Sequence, residues 1–504
     1  VGAGTSNTIG TVGASASAFI GSGATNRIGT TGISTSSVIG GGNDNTVTTA
    51  VYAFIGGGAT NTVGGAHGVI AGGNTNTVVT GNDNAILGGD SNIITNGNQI
   101  TLVGGQSNAV SNFSTQGVIV GGSTNSLGIT TASNSSAIVV GTTNRIDRST
   151  HSFIGGGKTN SIGLLAAASN HSVLVGGYSN DIDGGSLNVI VGGGSSNSTL
   201  GNLIDTAVGS FIGGGTDNEI DVTAGSYHVI VGGYSNEIGD GTDTLNYSAI
   251  VGGYGNTITD SDYAFIGGGG SGSAGSENTI VGSDNATVAG GFANDIITTS
   301  TYSAIGGGDT NTITSATHAV ISGGDTNSVT SNFGTVVGGG NNVADSTYGT
   351  AMGQEASTDN YGVVAHSAGQ IAAVGDAQYM RAIWRLQTTD GTAAQNMKLD
   401  GSVENFVLED DSTYTYKIRV AARRTDANGE NAAYTMEGVV HRDAGVASTA
   451  LDAGVKVILL EDIAGWNFDV LADTTAGALR LHVTGEAAKT INWVAVGEFT
   501  KVTG

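Results

Sequence analysis

The chain contains no cysteine and no proline. Without thiols there is no disulfide framework, no thiolate metal site and no cysteine nucleophile. Without proline, and without a three-residue glycine period, collagen is excluded. Charge is scarce as well: Asp, Glu, Lys and Arg make up 11% of the 504 residues, against about 25% in an ordinary globular protein. Of these charges 41 are acidic and 16 basic, a formal net charge of −25. Such a chain repels phosphate backbones, so no nucleic-acid partner is expected. Apolar runs last only a few residues, and no membrane-inserted helix is expected. What is abundant is glycine, 88 residues. With 38% hydrophobic residues the chain is too apolar for a solvated coil.

Composition shifts along the chain. Residues 1–370 hold 4 basic and 23 acidic residues; residues 371–504 hold 12 and 18, together with Trp384, Trp466 and Trp493. A domain boundary near residue 370 is the expected cause.

The first part repeats itself. A short apolar segment is followed by two or three glycines, two polar residues, an asparagine, a small polar residue and Ile or Val. Phe54-Ile55-Gly56-Gly57-Gly58-Ala59-Thr60-Asn61-Thr62-Val63 is one copy and Val229-Ile230-Val231-Gly232-Gly233-Tyr234-Ser235-Asn236-Glu237-Ile238 another. Anchored on that asparagine, about twenty copies run from Asn7 to Asn342, with Asn197 as the anchor of its copy. The rung has fixed length and the stretch before the next apolar segment varies, as in a stacked solenoid. Glycine at this density opposes helix, and Val, Ile, Phe and Thr favour strand. Gly and Asn suit positive φ at sharp corners. A coil with two corners then leaves two strands of roughly four or five residues, each pairing in parallel with its equivalent in the next coil. The chain begins inside this array, since Thr5-Ser6-Asn7-Thr8-Ile9 already fits the repeat.

One asparagine per coil predicts a ladder of stacked amides, with Asn26, Asn45, Asn61, Asn76, Asn160, Asn218, Asn236, Asn256, Asn311 and Asn327 as its clearest members. A single coil is thin and leaves one apolar face wet, which a monomer does not tolerate over such a length. Self-association around the long axis, as a homotrimer, is the simplest remedy.

These repeats resemble the head repeats of trimeric autotransporter adhesins, the YadA-like left-handed β-roll, and the shafts of bacteriophage tail fibres. Tyr348-Gly349-Thr350-Ala351-Met352-Gly353 and Ala365-His366-Ser367-Ala368-Gly369 lie closest to the YadA-like pattern. The Gly-Gly-Gly-x-x-Asn-Thr-Ile form departs from the Ala/Ser-rich head consensus.

After residue 370 the texture is that of an antiparallel β-sandwich or jelly roll. Alternating segments run over 414–423, 433–442, 479–483 and 491–499, with turn signals at 426–429 and 473–477. This part resembles the C-terminal domain of phage and prophage tail fibres. The resemblance is carried by Gly375-Asp376-Ala377-Gln378, Ala421-Ala422-Arg423-Arg424-Thr425-Asp426 and Val483-Thr484-Gly485-Glu486-Ala487-Ala488-Lys489-Thr490-Ile491-Asn492-Trp493-Val494-Ala495.

Other constellations are weighed against plainer readings. Tyr52, His67, His151, His171, Tyr227, Tyr247, Tyr263, Tyr302 and His318 share one register. Tyr and His exchange there, so a stacked ring ladder is expected instead of a metal site. Asn43-Asp44-Asn45 and Asn82-Asp83-Asn84 are fragments of calcium loops without the remaining ligands, and are expected to be solvated turns. Arg423 and Arg424 point to opposite faces of a strand. Trp466 beside a turn suits either core packing or stacking on a sugar. No preorganised polar cluster, cofactor motif or metal set is visible, so no enzyme activity and no cofactor are expected.

The expected function is that of a viral tail fibre: a trimeric solenoid presenting a C-terminal surface-binding domain, extracellular and on the virion tail. The partners are further copies of the chain, a host-surface glycan or protein, and tail proteins through a missing N-terminus. Candidate receptor contacts are Asp426, Asn428, Glu430 and Trp466, since irregular loops hold function. The alternative is a bacterial or archaeal cell-surface adhesin or filament subunit. An autotransporter would end in membrane-anchoring strands, whereas the segment to Gly504 reads as a soluble strand.

Overall fold

The computed structural model describes the chain apart from residues 11–14, 113, 165–167, 196–200, 390–392 and 428. It is all-β: a parallel β-solenoid is followed by antiparallel sheets. The chain packs as two compact units, Val1–Asp260 and Ser261–Gly504.

The described residues of the first unit form a solenoid. One column of strands runs Phe19–Ile20, Val38–Ile39, Phe54–Ile55, Val69–Ile70 and onward, each paired in parallel with the next. A second column runs Thr8–Ile9, Arg27–Ile28, Thr46–Val47, Thr62–Val63 and onward, paired the same way. In both columns the second residue points inward: Ile39, Ile55, Ile70, Val47 and Val63 are fully buried. β-Branched side chains stack well on a pleated surface, and these two columns fill the interior.

The strands are shorter than the four or five residues expected; most have two. The corners take the difference. Between Phe54–Ile55 and Val69–Ile70 the chain turns at 56–61 and again at 64–68. Each corner holds a left-handed residue that is neither Gly nor Asn: Thr60 at φ 59° and His67 at φ 54°. The repeat asparagine is therefore not the positive-φ residue; the residue before it is. A left-handed side-chain residue costs about 1–2 kcal/mol. Inter-coil bonds offset it, since the Thr60 N–H donates to the Asn43 carbonyl at 3.0 Å and the Thr60 pattern repeats at Thr75, whose N–H donates to Ala59 at 2.9 Å.

Outside the interior, the first column presents an apolar stripe. Phe54 and Val231 are 41% and 50% exposed. Residues one step either side of the buried Ile trade volume. Phe19, Phe54, Phe153 and Phe211 are each followed two residues later by Gly, where an added Cβ would sit 3.1–3.4 Å from the ring, whereas Val229 is followed by Val231 and Val189 by Val191. The stripe thus keeps a nearly even height from coil to coil.

The second unit also starts as a solenoid of parallel pairs, the last of them Thr350–Gln354 with Val364–Ala368. Pairing then becomes antiparallel, Val364–His366 against Tyr379–Arg381. Among the described residues nine strands follow: β1 (Ala377–Thr388), β2 (Gln395–Met397), β3 (Phe406–Val407), β4 (Ser412–Arg424), β5 (Asn431–Arg442), β6 (Ala450–Glu461), β7 (Asn467–Asp473), β8 (Ala478–Thr484) and β9 (Ile491–Thr503). One sheet has the order β1-β9-β4-β5-β6. In the other, β8 pairs with β2, β3 and β7. The sheets share a core of aromatics: Phe406 of β3 stacks on Phe499 of β9 at 4.5 Å, and Tyr434 of β5 lies 6.2 Å from Phe468 of β7. β6 is an edge with exposed apolar side chains, Val455 at 68% and Leu459 at 65%.

Candidate functional site

Among the described residues the repeat asparagines from Asn26 to Asn342 are buried on the inner side of a corner. Asn45 shows the geometry. Its backbone N–H and its Nδ2 donate to Asn26 Oδ1 at 3.0 and 3.1 Å; its Nδ2 also donates to the Gly41 and Gly58 carbonyls at 3.1 and 2.9 Å. Its Oδ1 in turn accepts the N–H of Asn61 at 3.0 Å. In the first unit the same bonds recur at Asn61, Asn160, Asn218, Asn236 and Asn256. Asn76 takes its place through its backbone N–H to Asn61. In the second unit Asn311 and Asn327 repeat it, and Asn342 Oδ1 ends the run on the Ala356 N–H at 3.0 Å. The anchor Asn197 lies outside the described residues. The rung bonds in that coil belong to Asn202, whose N–H and Nδ2 reach Asn180 Oδ1 at 2.9 and 3.0 Å.

A second polar ladder occupies the opposite corner, and sequence reasoning missed it. From Ser136 to Ser248 each backbone N–H donates to the side chain one coil back: Ser152 to Ser136, Ser172 to Ser152, Asn188 to Ser172, Ser210 to Asn188, His228 to Ser210 and Ser248 to His228. His228 is fully buried. Its Nδ1 accepts from Ser248 at 3.4 Å while Nε2 faces the Leu245 carbonyl at 3.0 Å, which sets the Nε2–H tautomer. The available signal was register: these residues directly follow the second left-handed position.

The exposed rings form stacks. His151–His171, Tyr227–Tyr247 and Tyr302–His318 are nearly parallel at 4.8, 5.2 and 5.1 Å, and Phe333 and Tyr348 extend the last of these at 4.9 and 4.7 Å. Tyr52 and His67 are tilted by 45°. At the calcium-like fragments Asn45 and Asn84 point inward, Asp44 meets Arg27 at 3.6 Å and Asp83 meets His67 at 2.8 Å. Among the described residues no group of three or more His, Asp and Glu is placed to hold a metal.

Carboxylates that looked scattered in the sequence fall into register on the second column. Asp183 pairs with Asp205, Asp205 with Asp221, and Glu219 with Glu237. Burial, then the charges of Asp221 and Glu237, push Glu219 up to about 7. Burial likewise raises Asp181 to about 6, with Asp183 and Asp205 adding to it against the Ser161 hydrogen bond.

In the second unit the phrase Gly375-Asp376-Ala377-Gln378 fastens the antiparallel sheets to the last coils. Gln378 exchanges two hydrogen bonds with the Ser357 backbone, both 2.9 Å, and Asp376 accepts the N–H groups of Ile371, Ala372 and Ala373. Lys501 of β9, fully buried, contacts Glu409 and lies 3.4 Å from Asp359. Burial and the adjoining Asp359 push Glu409 up to about 7. Burial works to raise Asp359, but the Glu409 hydrogen bond and the Lys501 charge outweigh it and hold Asp359 below its ordinary value.

Of the candidate receptor contacts, Asp426 and Glu430 both bond Arg424, at 2.8 and 3.1 Å, and Glu430 also meets Lys489 at 3.0 Å. They brace the β4–β5 turn to the start of β9. Asn428 lies outside the described residues. Trp466 is corrected: it is 2% exposed and packs 5.9 Å from Trp493, so its ring offers no face to a sugar. Arg423 is exposed while Arg424 is half-buried in its ion pairs.

No protein-family model and no curated protein matches the chain. Among solved structures it has weak similarity to tailspike proteins. One is the tailspike gp49 of Acinetobacter baumannii bacteriophage Fri1, a capsular polysaccharide depolymerase, at 11% identity and a TM-score of 0.21, covering 85% of this chain and 79% of that one. Another is the tailspike of Acinetobacter baumannii phage AM24, at 8% identity and a TM-score of 0.20, covering 84% and 78%.

Proposed function

We propose that the chain is a structural and host-recognition component of a viral tail fibre. Residues 1–370 serve as a solenoid that associates with further copies, as a homotrimer, and residues 371–504 present a surface that binds a host glycan or protein outside the cell. The observation that carries this reading is the even apolar stripe on the outer side of the first strand column, with Phe54 and Val231 exposed on it. A repeating face of this length calls for a partner of the same repeat. The exposed apolar edge β6 adds a second surface of the same kind in the C-terminal sheets.

Recognition is assigned to the C-terminal part because it carries 12 of the 16 basic residues and the irregular turns. Three copies side by side would turn weak contacts into avidity. The role is binding, not catalysis, with no cofactor.

The test is adhesion of the labelled full chain to a panel of bacterial strains. Binding to a subset of strains, lost when residues 426–430 are replaced by a Gly/Ser turn and kept when exposed solenoid residues such as Asp309 and Asp325 are neutralised, supports the reading. Binding that follows the solenoid substitutions instead favours a cell-surface adhesin.

A further inference from the structure

Most cations of the C-terminal sheets are neutralised by carboxylates, as in Arg419–Glu498, Arg480–Asp473 and Lys489–Glu486. Arg385 differs. It stands on the exposed side of β1, and its Nη2 donates to the Asp400 carbonyl at 2.7 Å. Among the described residues no carboxylate pairs with it. The carboxylate of Asp400 itself is engaged elsewhere: Oδ1 accepts the N–H groups of Ser402, Val403 and Glu404 at 2.9, 2.8 and 2.9 Å. The Arg385 stem lies over Gly401, where an added Cβ would sit 2.9 Å from Nε. The guanidinium is thus held in place while its charge is left available. Lys398, opposite Arg385 across the strands, donates to Asn405, a neutral group. On a chain of net charge −25 a guanidinium held in place without a carboxylate partner among the described residues offers a point of contact for an anion.

Arg385 borders a groove of about 380 Å³ that is also lined by Tyr348, Tyr361, Ile383 and Leu399. The groove opens where the ring ladder ends. Phe333 and Tyr348 stack within 10° of parallel, but Tyr361 turns 66° out of the stack at 5.3 Å from Tyr348. Aromatic rings and a fork of N–H donors therefore meet on one surface.

We infer that this groove binds a carboxylate-bearing sugar residue of a polysaccharide. A sugar acid has an apolar C–H face and a planar carboxylate at one edge of the ring. The face packs on Tyr361 and Tyr348, and the carboxylate takes two parallel hydrogen bonds from Arg385, a geometry that a lysine does not reproduce. The inference rests on the reading that this part of the chain faces a cell surface.

The test is calorimetric titration of the full chain with three carboxylated probes, oligogalacturonate, oligomannuronate and α2,8-linked sialic acid oligomers, against neutral galacto-oligosaccharides and dextran sulfate. At least one carboxylated probe is expected to bind saturably, at least tenfold more tightly than the neutral and sulfated polymers. R385K and R385Q should each weaken it at least tenfold, and Y361A at least fivefold. R423A, an exposed arginine on β4, should leave it unchanged. R385K keeps the charge and the stem, so it covers the case in which R385Q fails to fold. Absence of saturable binding by all three probes, equal binding of the neutral or sulfated polymer, or indifference to R385K and Y361A would overturn the inference. If the chain adheres to cells and R385K adheres equally, this site falls while the tail-fibre reading stands. If a carboxylated probe binds through Arg385 but no strain is bound, the site stands and that reading falls.

Discussion

Asn26 is tied to the coil of Asn45 as both acceptor and donor. Asn26 Oδ1 accepts the Asn45 backbone N–H at 3.0 Å, while Asn26 Nδ2 donates to Gly42, three residues before Asn45, at 2.9 Å. One side chain therefore satisfies a donor and an acceptor of the next coil. The amide is suited to this because it donates and accepts through groups on one planar unit. A carboxylate lacks the donor and a hydroxyl lacks the reach.

Replacing Asn218 by Ala should be among the most damaging solenoid substitutions. It leaves the Asn236 N–H and the Gly214 carbonyl without their side-chain partner, while the Gly233 carbonyl keeps the Thr216 N–H. Each orphaned group costs about 1–3 kcal/mol. Asn218→Asp should be no milder at neutral pH, since it buries a charge without a donor. Urea denaturation of the full chain compares both with Asn218→Ser.

The glycines of one corner should differ sharply. A Cβ at Gly58, φ 90°, would sit 2.1 Å from the Gly73 carbonyl oxygen, whereas a Cβ at Gly57 meets nothing within 4 Å. Gly57→Ala should leave the melting temperature within a degree or two, and Gly58→Ala should lower it by many degrees or abolish folding. Equal effects would mean that the corner is not packed as described.

The carboxylate column should make the first unit less stable in mild alkali. Glu219 sits at about 7 in the folded chain against an ordinary 4.5, raised by burial and then by Asp221 and Glu237. A raised acid is stabilising relative to the unfolded chain only while protonated: the contribution is full below 4.5 and is lost as pH rises through 7. Melting temperature should therefore fall between pH 5 and pH 8, and Glu219→Gln should flatten that fall and raise stability at pH 8. A melting temperature that rises over this interval and ignores Glu219→Gln would exclude the effect.

The buried lysine should be required by its acids. Lys501→Met leaves Asp359 and Glu409 without their cation and should destabilise the second unit by about 3–5 kcal/mol. Adding Glu409→Gln to Lys501→Met should recover part of the loss. Denaturation followed by tryptophan fluorescence reads it directly, because Trp384, Trp466 and Trp493 all lie in these sheets.

The solenoid was legible because its rules are local and repeated. Ile55 and Val63 recur at fixed distances from Asn61, and period alone locates the inward side. The corners were less legible: the left-handed position is filled by Thr60, His67 or Tyr52 instead of Gly or Asn, and bonds from neighbouring coils hold it. Strand length was overestimated for that reason. In the coil assigned to Asn197 the rung bonds belong to Asn202, which the spacing of the repeat does not single out. The second ladder was hidden because Ser, Asn and His share the role, and the acid column because Glu219 and Glu237 are neighbours only once coils of unequal length are stacked. In the C-terminal sheets alternation marked β4, β5, β8 and β9, but which aromatic faces solvent is decided by the opposing sheet, and Trp466 went inward.

The most direct test of the account is the mass of the full chain in solution by light scattering at micromolar concentration. The even apolar stripe containing Phe54 and Val231 predicts a single species of three times the 49.6 kDa chain mass, and Phe54→Lys with Val231→Lys should break it down. A stable monomer of 49.6 kDa would contradict it.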